Sequence, residues 1–195
     1  MKRIAVIAAA LAVSMLSSAP AAAQAFGISA GDKVETLDVV RDIGEGKYLV
    51  NVPSPHPEFE VYRVTASDTA GTCLVVAAGV DHDRDRYGDS VRAAYEKVAA
   101  AIDKRYGKGL EYDHLRSGAL WDDRDEWVMA IAQNERSLQM AWTPEYGSDL
   151  TDDITEILLT VNASSSSSSY LHLQYRFANY DACSAEISSQ VDAVF

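Results

Sequence analysis

From Asp81 the chain runs Asp81, His82, Asp83, Arg84, Asp85, Arg86, Tyr87, Gly88. Alternate carboxylates of this kind can turn their oxygens toward one hard cation, as the opening of a calcium-binding loop does. Such a loop also needs glycine at its sixth place and a bidentate glutamate at its twelfth, where this chain has Arg86 and Arg92. The run therefore reads as a solvated acidic loop capping the helix that follows. No metal site is expected, and the only ligands at hand would be Asp81, Asp83 and Asp85. A second acidic group, Asp122, Asp123, Asp125 and Glu126, lies between Trp121 and Trp127. Paired carboxylates beside aromatic rings suit glycoside cleavage, but a charged turn leading into a buried strand explains the same residues. His56, His82, His114 and His172 show neither i, i+4 helical spacing nor an HExxH pattern. His114, beside Asp113 in an irregular stretch, is the histidine to watch. No GxSxG elbow, phosphate-cradling glycine loop or dinucleotide fingerprint is present. No catalytic residue is assigned and no cofactor is expected.

The compartment is legible from the first residues. Lys2 and Arg3 precede an apolar run from Ile4 to Leu16, which ends in small residues around Ala21 to Ala25. This is the pattern of a secretory signal peptide over residues 1–25, best cleaved after Ala25, with cleavage after Ala23 the close competitor. The run is too short for a membrane helix, no later segment is long and apolar enough to be one, and no cysteine follows to carry a lipid. The full chain of 195 residues carries a formal charge of −12, and losing Lys2 and Arg3 makes that −14. Such acidity, with no basic run, argues against nucleic acid and against membrane insertion after signal removal. Cys73 and Cys183 are the only two cysteines. In an oxidising compartment they are expected to form one disulfide, two buried thiols being the alternative.

The remaining elements follow from periodicity. Asp32 with Glu35 three residues on suggests a short first helix ending before Gly44 and Gly46. Lys47 to Val52, Phe59 to Ala66 and Cys73 to Val80 read as strands, the last buried on both faces. Val91, Tyr95, Val98, Ile102 and Tyr106 recur at helical spacing, with Asp89 or Ser90 as cap and Gly107 as stop. Gly107 to Asp125 is read as an irregular connection. Trp127 to Ala132 and Ser137 to Trp142 are expected to form a hairpin turning at Asn134 to Arg136. Ile157 to Val161 is expected to pair with Leu171 to Phe177 across six serines, Ser164 to Ser169. Cys183, Ile187, Val191 and Val194 describe a closing helix. The fold class is α+β, a mostly antiparallel sheet of about seven strands with helices on one face, in a single domain over 26–195.

Tyrosine is the commonest aromatic, ten against four Phe and three Trp. Tyr48, Tyr62 and Tyr170 are expected on outward strand faces, where tyrosine favours recognition. Phe26, Gly27, Ile28 and Gly31 after the signal, the proline-rich loop before Phe59 and Tyr62, the Gly71 to Cys73 turn and Tyr106-Gly107 resemble small exported bacterial proteins of unassigned function. That resemblance covers the first half of the mature chain. It implies a periplasmic setting and carries over no catalytic residue. The helix-then-strands plan is also similar to envelope assembly and inhibitor folds built from helix and hairpin units. The expected function is therefore binding to another envelope protein by a periplasmic or secreted, non-enzymatic chain, with its oligomeric state left open. The rival is a hydrolase or metal-dependent periplasmic enzyme built on the loops 81–85 and 113–126.

Overall fold

Short connections between apolar, β-branched runs oblige neighbouring strands to pair antiparallel. In the computed structural model, which describes residues 25–151 and 153–192, this gives one sheet. The signal segment Met1 to Gln24, and Val194 and Phe195, lie outside the described residues. The strands are β1 (Asp38–Gly44), β2 (Lys47–Asn51), β3 (Phe59–Ser67), β4 (Gly71–Gly79), β5 (His82–Asp83), β6 (Leu110–Leu115), β7 (Arg136–Trp142), β8 (Ile154–Ala163) and β9 (Ser168–Phe177). They lie in the order β1-β2-β3-β4-β9-β8-β7-β6, with β5 added to β9, and every pairing is antiparallel. Two meanders, β1 to β4 and β6 to β9, thus meet at β4 and β9. The helices are α1 (Asp89–Tyr106), α2 (Trp127–Ala132) and α3 (Tyr180–Asp192).

Register decides which side chains share a face, because residues opposite one another in a ladder point the same way. Val50, Tyr62, Ala77, Leu173, Leu159 and Met140 form one row across the sheet. This row belongs to the core, which α1 closes with Val91, Tyr95, Val98, Ile102 and Tyr106. Helix α2 packs beside α1, against β7 and β8. Phe26 completes the inner layer, its ring edge-on to Phe59, Tyr62 and Tyr175 at centroid distances of 5.7, 4.9 and 5.8 Å.

Helix α3 departs from the expected one-sided layer. It packs on β3 and β4 from the opposite face, over Arg63, Thr65 and Leu74. A register shift between Thr65 and Ala66 leaves Cys73 as an extra residue of β4, and its sulfur bonds to Cys183 of α3. A β-bulge of this sort re-aims a side chain. As expected, β4 is buried on both faces.

Three local expectations are corrected, and the strand count rises from about seven to nine among the described residues. Trp127 to Ala132 is helix α2 rather than a strand, since a short apolar run has no period that separates the two. Its end is a helix C-cap: Asn134 takes φ +55° while Glu135 N–H donates to Ala130 O at 2.8 Å and Asn134 N–H to Ile131 O at 3.0 Å. The first helix is a single 3-10 turn, Val34–Thr36, followed by β1. β-Branched Val39, Val40 and Ile43 favour the strand, and left-handed backbone at Gly44, Glu45 and Gly46 closes the hairpin to β2. The supposed irregular stretch contains the edge strand β6.

Candidate functional site

The face of the sheet away from α1 and α2 is built by two parallel rows. One is Leu49, Arg63, Val76, Gln174, Leu158, Ala141 and Leu110; the next is Val61, Ala78, His172, Thr160, Gln139 and Tyr112. Helix α3 covers this face only over β3 and β4. Beyond it the side chains of β9, β8, β7 and β6 form an open floor, with Tyr112 48% and Leu110 52% exposed at the far edge. Where α3 leans on the sheet, a cleft of about 480 Å³ is lined by Arg63, Leu74, Tyr180 and Ile187 and by Lys47 and Glu45, which pair with each other at 2.7 Å.

The electrostatics of this face oppose those of the chain. At the outward register positions of β9, β8, β7 and β6 the only carboxylate is Glu156, neutralised by Arg176 at 2.8 Å, while Glu60, exposed at the bulge of β3, and Asp83, opposite Ser168 in β5, stand at the margin. Acids on the neighbouring positions point to the helices instead. Asp113 pairs with Arg136 at 2.8 Å, and Glu111 and Asp113 lie near Tyr95, whose hydroxyl pKa is raised first by burial and then by these charges. Arg63 has no ion-pair partner among the described residues, and its enclosed Nε finds no acceptor. An enclosed N–H without an acceptor is costly unless something else satisfies it. Next to it His172 is half-buried, 3.4 Å through Nδ1 from Gln174 Nε2, and its pKa is lowered by burial and then by the Arg63 charge. The outward face therefore offers hydrogen-bonding groups, apolar area and one uncommitted cation.

Helix α3 is fixed over one end of this face. The Cys73–Cys183 disulfide anchors it to β4. Glu186 accepts from Ser67 Oγ at 2.7 Å and Thr69 N–H at 2.9 Å, and Asn179 Nδ2 donates to Ala70 O and Thr72 O at 2.9 and 3.0 Å. These tethers bridge residues far apart in sequence.

The acidic loop does what a capping loop should. Asp85 accepts from Asp89 N–H, Ser90 N–H and Ser90 Oγ at 2.9, 2.8 and 2.6 Å, at the start of α1. Partial burial alone would raise its pKa, but these bonds outweigh that and the net shift is downward. The cap is thus Asp85 rather than Asp89 or Ser90. Asp81 and Asp83 are exposed, and Asp83 belongs to β5, paired with Ser168. Among the described residues no three His, Cys, Asp or Glu side chains gather to hold a metal.

The two loops of the rival reading touch at their ends, where Arg86 pairs with Asp125 at 2.9 Å and Arg86 O accepts from Val128 N–H at 3.1 Å. His114 does not join them. Neighbours in a strand face opposite ways, so while Asp113 turns to the helices, His114 lies on the outward face, stacked on Tyr112 at 5.5 Å. Asp122 and Asp123 line a groove of about 360 Å³ with Trp121, Tyr87, Arg92 and Arg124 on the helix side.

Of the three tyrosines expected outward, Tyr170 is there. Tyr62 is in the core and Tyr48 packs against it. Arg63 and Tyr112 are the residues that sequence reasoning missed. Arg63 could have been found as the basic residue alternating with Tyr62 and Val64 in a strand, whereas nothing in the sequence marks Tyr112 as belonging to a strand edge. The chain is similar to no protein-family model, curated protein or solved structure with which it was compared. No helix among the described residues is long and apolar enough to cross a membrane.

Proposed function

We propose that this chain is a non-enzymatic exported protein that binds another protein of the bacterial envelope through the outward face of its sheet. The observation that carries the reading is the charge contrast. In a chain with a formal charge of −12, the open floor of β9, β8, β7 and β6 carries one paired carboxylate, Glu156, among hydrogen-bonding and apolar side chains, and it leads to a cleft where the Arg63 guanidinium has no ion-pair partner among the described residues. A partner surface presenting a carboxylate opposite Arg63, and amide or hydroxyl groups opposite Gln139, Thr160 and Gln174, complements it. The disulfide supports an oxidising compartment, periplasmic or extracellular.

The test is site-directed photo-crosslinking in the native envelope, with the reactive residue placed at Tyr112 or Gln139 on the outward face, or at Glu96 on the exposed side of α1. One partner captured from Tyr112 and Gln139 and not from Glu96 is expected. Arg63→Glu should weaken that complex about tenfold or more, the cost of an unmatched charge at an interface. Capture from Glu96 alone would refute the assignment of the face. A turnover abolished by changing His114 or Asp122 would replace binding by the enzymatic alternative.

A further inference from the structure

We propose that export cleaves this chain after Ala23, so that the exported protein begins at Gln24 and keeps Ala25. The inference rests on the signal-peptide reading. Of the sites with small residues at both positions a signal peptidase inspects, the two nearest the fold are Ala21 with Ala23 and Ala23 with Ala25. The fold separates them.

Ala25 is fully buried and belongs to the hydrophobic core. Its N–H donates to Ile28 O at 2.9 Å, and its O accepts from Ile28 N–H at 3.0 Å. Between them Phe26 and Gly27 take φ of +57° and +88°. Left-handed backbone at two successive residues, closed by such a reciprocal pair, is the tightest hairpin turn. Phenylalanine is strained at positive φ, and such strain persists only where surrounding bonds impose it. The Phe26 ring is the one set edge-on against Phe59, Tyr62 and Tyr175, so the turn positions a core aromatic.

Cleavage after Ala25 would remove one closing residue, both closing bonds and a buried side chain. It would also put an ammonium group on Phe26, beside that aromatic cluster. Cleavage after Ala23 leaves the turn whole, with the new charge two residues before Phe26.

Intact-mass measurement of the protein purified from the exported fraction of its host decides the matter. A chain beginning at Gln24 is expected. One beginning at Phe26 overturns the inference while leaving export intact, and one still carrying Met1 overturns the export reading itself. In parallel, forms beginning at Gln24 and at Phe26 can be released from a cleavable tag, oxidised and melted. The Phe26 form should unfold several degrees lower, and equal melting temperatures would remove the physical basis of the choice.

Discussion

Replacing both Cys73 and Cys183 by alanine tests the energetic role of the bond between β4 and α3. The bond spans 110 residues of sequence. For a loop of that length the chain-entropy relation gives about 4.8 kcal/mol at 25 °C, and measured values commonly fall to about 2–4 kcal/mol. Both cysteines are fully buried, so each alanine also forfeits some packing. The hydrogen bonds of Glu186 and Asn179 remain, so α3 stays docked and the native fold persists. We expect the double variant to lose about 3–5 kcal/mol in urea-induced unfolding, with its far-UV dichroism in buffer unchanged. At about 2–4 °C per kcal/mol for a chain of this size, the melting temperature should fall by roughly 10 °C. A loss below about 1 kcal/mol with native dichroism would refute the reasoning, because the unfolded chain would not then be gaining the freedom that the loop denies it.

Asp85→Ala should cost about 1–2 kcal/mol, the usual penalty for losing a helix N-terminal cap. Because the Asp85 pKa is lowered on folding, its contribution is present above the unfolded value of 3.8 and is lost as the pH falls through the folded value. The gap between wild type and variant in urea titrations should therefore close on acidification, and a gap independent of pH would contradict the assignment. Gly88 has φ +70°, and an added Cβ would run into the six-membered ring of Trp127, which lies between the guanidinium groups of Arg92 and Arg136. Gly88→Ala should lose about 3 kcal/mol or more, while Gly118→Ala, at φ +73° with nothing within 4 Å, should lose about 1 kcal/mol, and equal losses would show that the ring yields. His172 has a pKa below its unfolded value of 6.5, so as the pH falls through 6.5 the unfolded chain takes up a proton that the native state refuses, and stability declines. His172→Gln should flatten that decline, and an unaltered slope would mean that the ring is not shielded as its burial implies.

How far the site was legible depends on the range of the interactions involved. Helix α1 was readable because its apolar stripe, basic last turn and glycine stop lie within consecutive turns. The capping role of the acidic loop was readable because its carboxylates immediately precede the first turn of α1 in the chain. Trp127 to Ala132 was misread because every residue of the run is apolar, and it becomes a helix only where its buried side meets β7 and β8. Asn134 was the available clue, since a left-handed asparagine after an apolar run ends helices as readily as it turns hairpins.

The sequence alone determined the elements whose order comes from neighbours in the chain: the helix α1, the strands β2, β3 and β4, and the hairpin of β8 and β9; the disulfide was an expectation, which the tertiary structure bears out over two buried thiols. Only the tertiary structure decided that α3 crosses to the far side of the sheet, because a bulge at Cys73 and tethers from Glu186 and Asn179 join residues more than 100 positions apart. The open face follows from that crossing. Whether a side chain such as Tyr62, Arg63 or His114 faces core or solvent is set by the register of its strand, and a shift of one residue reverses every such assignment. That register is fixed by long-range packing, which no local pattern encodes.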